Sequence, residues 1–234
     1  MNGITELVFI LDRSGSMFGL EADTIGGFNA MLEKQKANDS PVLISTVLFN
    51  DRSEVIHDRR SIVDIPLLTE REYEVSGCTA LLDAIGDAVK HIRTVHRYLR
   101  SEDVPERTLF VITTDGMENA SHRFSGDEVR QLIEAQKEKG WEFLFLGANI
   151  DAVDTAKSFG ISEDNAVDYL NDGRGIGNAY ASIAHACCCL AEKGSVGKDW
   201  KRFAHEDHKS RSPKKSCAMA ITPKTLRDLM DFKG

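Results

Sequence analysis

The chain has 234 residues, 29 of them Lys or Arg and 37 Asp or Glu, for a formal charge of −8. Such a length suits one large α/β domain or an ordinary domain with an appendage. Its 41% apolar and 28% charged residues exclude a disordered, collagenous or coiled-coil chain.

No apolar run reaches the ~18–20 residues of a membrane span. Met1-Asn2-Gly3-Ile4-Thr5-Glu6 has neither a basic region nor a small-residue cleavage site, so no signal peptide and no membrane association are expected. Five cysteines, three of them consecutive, fit a reducing, cytoplasmic setting better than a disulfide framework. The net charge hides an asymmetry: residues 1–192 carry 18 basic and 32 acidic side chains, or −14, whereas 193–215 carry 8 and 3, or +5.

Leu7-Val8-Phe9-Ile10-Leu11 predicts a strand buried on both faces. Residues 23–36 have helical spacing, with Ile25, Phe28, Met31 and Leu32 on one side. Val42 to Phe49 is a second strand. After the turn pair Asn50-Asp51, Glu54-Val55-Ile56-His57 returns as an antiparallel edge strand. From Thr79 onward Leu82, Ile85, Val89 and Ile92 form a helical stripe with Asp83 and Asp87 on the other side. Leu109-Phe110-Val111-Ile112 is a further strand, followed by a helix over 126–138 carrying Val129, Leu132 and Ile133 and ending near Gly140. Trp141 to Leu146 is another strand, closed by Gly147, and a short helix over 151–158 stops at Gly160.

Strand and helix in alternation imply an α/β fold, Rossmann-like and doubly wound. Its sheet is mostly parallel with one antiparallel edge strand, and helices cover both faces. Residues 1–192 form the domain and 193–234 a basic C-terminal extension. Within the extension, 193–215 interleaves Lys and Arg with Trp200 and Phe203 and reads as a solvated loop lying on the acidic domain. Thr222-Pro223 reads as the start of a short terminal helix that docks through Leu226, Leu229 and Met230.

Asp12-Arg13-Ser14-Gly15-Ser16 follows the first strand, and loops beyond the carboxyl ends of strands are where open α/β sheets gather their ligands. One carboxylate and two hydroxyls there are hard oxygen donors suited to Mg²⁺, Mn²⁺ or Ca²⁺. Gly77-Cys78-Thr79 supplies a third hydroxyl, and Thr113-Thr114-Asp115-Gly116 a second carboxylate. Too few ligands result for a closed cage, so water and an outside ligand must complete the shell.

Asp-x-Ser-x-Ser at 12–16, Gly-x-Thr-Ala-Leu at 77–81 and Thr-Asp-Gly at 114–116 resemble the von Willebrand factor A (VWA) domain and its metal-ion-dependent adhesion site. The resemblance covers residues 5 to about 192 in strand–helix order. It implies a metal site of Asp12, Ser14, Ser16, Thr79 and Asp115. The three hydroxyls would be direct or near-direct ligands, and the two carboxylates would act largely through bound water. Arg13, Cys78, Gly116, Glu118, Asn149 and Asp151 would form the ligand-binding rim, although Asn149 and Asp151 are equally placed to cap the helix over 151–158. Cys78 departs from the pattern, since the family often has a second Gly there. The implied function is divalent-cation-dependent binding of a partner protein whose acidic residue takes the open metal position, with an ATPase among the partner classes.

Other chemistries fit less well. A Walker loop needs a Lys that 12–16 lacks, a phosphoaspartate transferase wants a carboxylate where Ser14 stands, and Gly-x-Ser-x-Gly is absent. A metal-dependent hydrolase or phosphotransferase would need a base near Asp115, and Glu118 is the nearby candidate. Nucleic-acid or acidic-surface binding would have to use the basic segment. Gly173-x-Gly175-x-Gly177 lacks dinucleotide spacing and reads as a flexible turn. Cys187-Cys188-Cys189 cannot grip one ion from a helix, where consecutive side chains diverge by about 100°. Cys187 instead joins Ile176, Tyr180, Ile183 and Leu190 in a buried stripe.

Overall fold

The computed structural model describes residues 3–37 and 40–212. Six strands, β1 Thr5–Asp12, β2 Val42–Phe49, β3 Ser53–Ser61, β4 Arg107–Thr114, β5 Glu142–Gly147 and β6 Ala166–Asp168, form one sheet in the order β3-β2-β1-β4-β5-β6. β2 and β3 pair antiparallel, and the other neighbours are parallel. Every residue of β1 is buried, as a strand covered on both faces requires.

Helices α1 Glu21–Lys36, α2 Leu81–Tyr98, α3 Gly126–Lys137, α4 Ala152–Ser158, α5 Gly173–Lys193 and α6 Arg202–Arg211 supply that cover. Alternation along β1 sorts the core into two. Leu7, Phe9 and Leu11 pack with Phe28 and Met31 of α1 and with Ile176, Tyr180 and Ile183 of α5. Val8 and Ile10 pack with Ile85 and Val89 of α2 and with Val129 and Ile133 of α3.

From β1 the chain moves outward through β2 to β3, and from β4 it moves the other way through β5 to β6. The β1 and β4 loops therefore face each other across the point where strand order reverses, the usual ligand crevice of such sheets.

The structure departs from the sequence reading in four places. β6 was not foreseen, because three residues carry no readable periodicity. Asp83 does not sit on the open side of α2; it is buried and accepts backbone N–H bonds from His122, Arg123 and Phe124 at 2.9–3.2 Å. The Gly173–Gly177 run is the first turn of α5, capped by Asp172, and not a flexible turn. A Cβ on Gly175 would fall 1.9 Å from the Leu170 carbonyl oxygen, so packing requires the glycine there.

The fourth departure is the basic segment, where 202–211 form α6 in place of a solvated loop. Trp200 is fully buried and its Nε1–H donates to the Asp164 carbonyl at 2.9 Å. Arg211 holds Asp172 with two bonds, at 2.6 and 3.1 Å, and also pairs with Asp207. A nucleic-acid face would need that aromatic and that cation free. The terminal helix expected from Thr222 lies outside the described residues. Among the described residues no helix is long and apolar enough to cross a membrane.

Candidate metal centre

Asp12 ends β1, and both of its carboxylate oxygens are held in place. The Ser14 N–H donates to Oδ1 at 2.7 Å and the Thr114 hydroxyl donates to Oδ2 at 2.6 Å. The Tyr73 hydroxyl, arriving from the β3–α2 connection, donates to the Asp12 carbonyl. After Asp12 the chain turns through a short 3-10 segment, Gly15–Met17, which leaves the Ser14 and Ser16 hydroxyl oxygens 3.0 Å apart.

Across the crevice Asp115 follows β4. Ser16 Oγ donates to its Oδ1, and Asn171 Nδ2, just beyond β6, donates to Oδ2 at 3.1 Å. The third loop is stitched to the first by backbone: the Gly15 N–H reaches the Gly77 carbonyl, and the Ser76 N–H the Arg13 carbonyl, both at 3.0 Å. Thr79 lies in this loop, two residues ahead of α2 and outside it. Asn119 clamps Thr79, its Oδ1 accepting from the Thr79 N–H at 2.9 Å while its own N–H reaches the Thr79 carbonyl at 3.1 Å.

Gly116 shows how close the three loops come. A Cβ there would stand 3.1 Å from Ser16 Oγ, 3.2 Å from Thr79 Oγ1 and 4.0 Å from Ser14 Oγ. Three hydroxyls thus surround one small volume, with Asp115 bonded directly to one of them. Only a residue without a side chain leaves that volume open.

Neither carboxylate has a Lys, Arg or His ion-pair partner among the described residues. Burial pushes Asp12 up from its ordinary 3.8 to about 6, against the lowering pull of Thr114 and Ser14 and with a further push from Asp115. Asp115 is also raised by burial, partly offset by Ser16 and Asn171. Two desolvated acids without a countercharge are costly, and a bound cation relieves that cost. Every donor is oxygen, which fits a hard divalent ion. Among the described residues no three His, Cys, Asp or Glu side chains converge as a metal-binding group, so an ion here would rest on hydroxyls as much as on carboxylates.

The rim residues meet different fates. Cys78 is exposed beside Thr79. Arg13 turns away to Glu54 at 2.7 Å and to the Glu72 carbonyl at 3.1 Å. Glu118 is fully engaged: Oε2 accepts from the Leu82 N–H and the Ser121 hydroxyl, and Oε1 from the Ala120 and Ser121 N–H groups, at 2.7–3.0 Å. It fastens the β4 loop to the start of α2, and a hydrolase would find no free base in it. Asn149 is exposed at φ 55°, on the same sheet edge. Asp151 caps α4 by accepting from the Asp154 N–H at 2.9 Å.

Sequence reading did not find Thr114, Asn119, Tyr73 or Asn171 as supports of this cluster. Thr114 was visible inside Thr-Asp-Gly. Asn171 required knowing that β6 exists and ends at the same edge.

No protein-family model and no curated protein matches the sequence. Solved structures do match the fold. The vWF domain of the pilus tip protein Mfa5 from Porphyromonas gingivalis superposes with a TM-score of 0.57 at 11% identity, covering 82% of this chain and 98% of that one. Proximal thread matrix protein 1 of the mussel byssus, with a zinc-occupied MIDAS motif, gives 0.54 at 15% identity over 79% of this chain and 46% of that one. The chain has a von Willebrand factor A fold. Manganese-loaded TRAP protein from Plasmodium vivax shares it at a TM-score of 0.50 and 18% identity, over 68% of this chain and 63% of that one. The chain spans about half the length of the mussel protein.

Proposed function

We propose that the protein is a divalent-cation-dependent protein-binding module, with its cation at the cluster of Asp12, Ser14, Ser16, Thr79 and Asp115. The observation that carries this reading is the convergence of three hydroxyls from two loops around Gly116, against two buried carboxylates that lack a countercharge. The zinc-occupied mussel protein and the manganese-loaded TRAP protein support a metal in this fold without fixing which ion is used here; the residues equally suit Mg²⁺, Mn²⁺ or Ca²⁺.

Ser14, Ser16 and Thr79 would offer hydroxyl oxygens directly. Asp12, held by Thr114 and Ser14, would act mainly by aligning ligands and bound water, and Asp115 would do so through Ser16. When bound, the cation supplies positive charge at the sheet edge and an open position that a partner's Asp or Glu carboxylate completes. The exposed Phe18 and Met117 stand two residues beyond Ser16 and Asp115, so apolar contact would accompany that carboxylate. Nothing among the described residues singles out an ATPase as the partner.

The test is a pull-down from cell extract in Mg²⁺ against EDTA, with Asp12→Ala as the control. A partner retained in Mg²⁺, released by EDTA and missed by the variant supports the reading. Capture that ignores both would overturn it.

A further inference from the structure

α1 and α5 run side by side in the same direction. Gly173 at the start of α5 lies against Asp23 in the first turn of α1, and further along Gln35 Nε2 donates to the Ala184 carbonyl at 3.2 Å. Between the two helices is an open groove of about 280 Å³, walled by Ala30, Met31 and Lys34 of α1 and by Gly177, Ala181 and Ala184 of α5. Of these side chains only Lys34 is charged. α6 contributes nothing to the walls. It is fastened along a neighbouring face of α5, where Arg174 pairs with Asp207 and Ser182 Oγ accepts from the Ala204 N–H at 3.1 Å.

The glycines of these helices are of two kinds. A Cβ on Gly27 would strike the Tyr180 ring at 2.4 Å, and those on Gly173 and Gly175 would strike Asp23 and Leu170, so packing among the described residues accounts for all three. A Cβ on Gly177 would meet nothing within 4 Å. Neither would one on Gly26, which lies one turn before Ala30 on α1. Glycine inside a helix lowers stability relative to alanine, and what it permits is the close approach of another backbone. Among the described residues no backbone makes that approach.

The rest of the chain begins at the mouth of this groove. Arg211, the last residue of α6, holds Asp172, the N-cap of α5, so residues 213–234 start at the end of the helix pair where Asp23 meets Gly173. From Asp172 to Gly177 is about 7.5 Å of helix, and residues 213–221 can span roughly 30 Å. Beyond them Thr222-Pro223 is a helix start, and Leu226, Leu229 and Met230 have the spacing of one apolar helix face. A segment on so short a tether has an effective concentration of about a millimolar, above that of a free partner or a second copy.

We propose that residues 222–233 dock as a helix in the groove between α1 and α5, with Leu226, Leu229 and Met230 turned towards Ala30, Gly177 and Ala181. The groove is thus an interaction surface for the chain's own terminal segment. It is separate from the metal centre, so the test is run with divalent cations chelated.

Full-length protein carrying Lys34→benzoylphenylalanine, a photo-crosslinker at the groove, is irradiated and the joined peptides are identified by mass spectrometry. A crosslink to a peptide within 213–234 is expected, in material that runs as a monomer, and it should disappear in the double variant Leu226→Asp with Leu229→Asp. A second measurement reads the sign of a stability change. On an uncovered helix Gly177→Leu raises Tm by about 2–3 °C through helix propensity. With the segment docked, the new side chain displaces it, so Gly177→Leu is expected to lower Tm in the unaltered background and to raise it in the double variant, where the groove is already empty. Crosslinks only between two chains, or to no terminal peptide, overturn the proposal. So does a Gly177→Leu shift of the same sign in both backgrounds.

Discussion

Replacing Asp12 by Asn isolates the charge at the proposed cation position from its shape. The amide oxygen can still accept from the Ser14 N–H, and the amide nitrogen can donate to the Thr114 hydroxyl, so the loop keeps its framework. What disappears is an ionised carboxylate that is 1% exposed. A rise from 3.8 to about 6 corresponds to roughly 3 kcal/mol of penalty on the charged form. The sign follows from linkage: folded and unfolded chains are both protonated below 3.8, the penalty grows as pH rises from there towards 6, and it is constant above. In EDTA at pH 8, Asp12→Asn is therefore expected to melt higher than the unaltered protein. The gain is up to about 3 kcal/mol, or roughly 6–12 °C for a chain of this size, and it vanishes near pH 4.

Mg²⁺ at a hundredfold excess over its Kd should return about 2.7 kcal/mol to the unaltered protein and nothing to the variant, closing the gap. Calorimetric melts at both pH values, with EDTA and with Mg²⁺, read all four quantities. A variant less stable than the parent at pH 8 in EDTA, or an equal Mg²⁺ response in both, would refute the reasoning.

Gly116→Val should erase the metal-dependent rise in Tm while leaving the melt in EDTA little changed, because the new carbon enters the volume between Ser16 and Thr79; a retained Mg²⁺ shift would show the ion sits elsewhere. Trp200→Ala should cost about 3–5 kcal/mol in urea denaturation, since the indole is fully buried and bonded to Asp164; a loss below ~1 kcal/mol would mean the segment beyond 192 is an appendage after all. At Asp83 burial raises the carboxyl, but the three N–H bonds and Arg123 outweigh it and hold it low. The stability it contributes is fully present above 3.8 and lost as pH falls through its lowered value, so Asp83→Asn should flatten the acid limb of a pH titration followed by circular dichroism. Glu6→Gln should destabilise by about 3–5 kcal/mol in the same denaturation assay, because Arg59 and His96 both bond that carboxylate at 2.5 Å.

The parts of the fold legible in the sequence are those whose pattern is local. β1, β2, β4 and β5 are near-continuous apolar runs, and α2 announces itself by its stripe. The metal-site residues were legible because each sits in a short loop directly after or before such an element. Features set by partners distant in the chain were not. Asp83 reads as a surface acid on a helical wheel, and only the loop at 122–124 makes it a buried acceptor. Trp200 reads as part of a basic stretch, since its pocket is assembled from elsewhere in the sheet layer. Asn171 reaches Asp115 across 56 positions of sequence and from a strand of three residues.

β1 itself carries the strongest physical argument for the cation. It has a buried carboxylate near each end, Glu6 and Asp12, both at most 1% exposed. At Glu6 the protein solves the problem internally: one oxygen takes the Arg59 guanidinium and the other the His96 ring. At Asp12 it supplies only neutral donors, a backbone N–H and a hydroxyl, and places a second acid, Asp115, close enough to repel it. The one nearby cation on the same loop, Arg13, is turned outward to Glu54. A fold able to bring a guanidinium and an imidazole to one end of a strand leaves the other end uncompensated where three hydroxyls converge. A cation from outside the chain would relieve that cost, and at the reversal of strand order it would lie where a partner's acidic side chain can meet it.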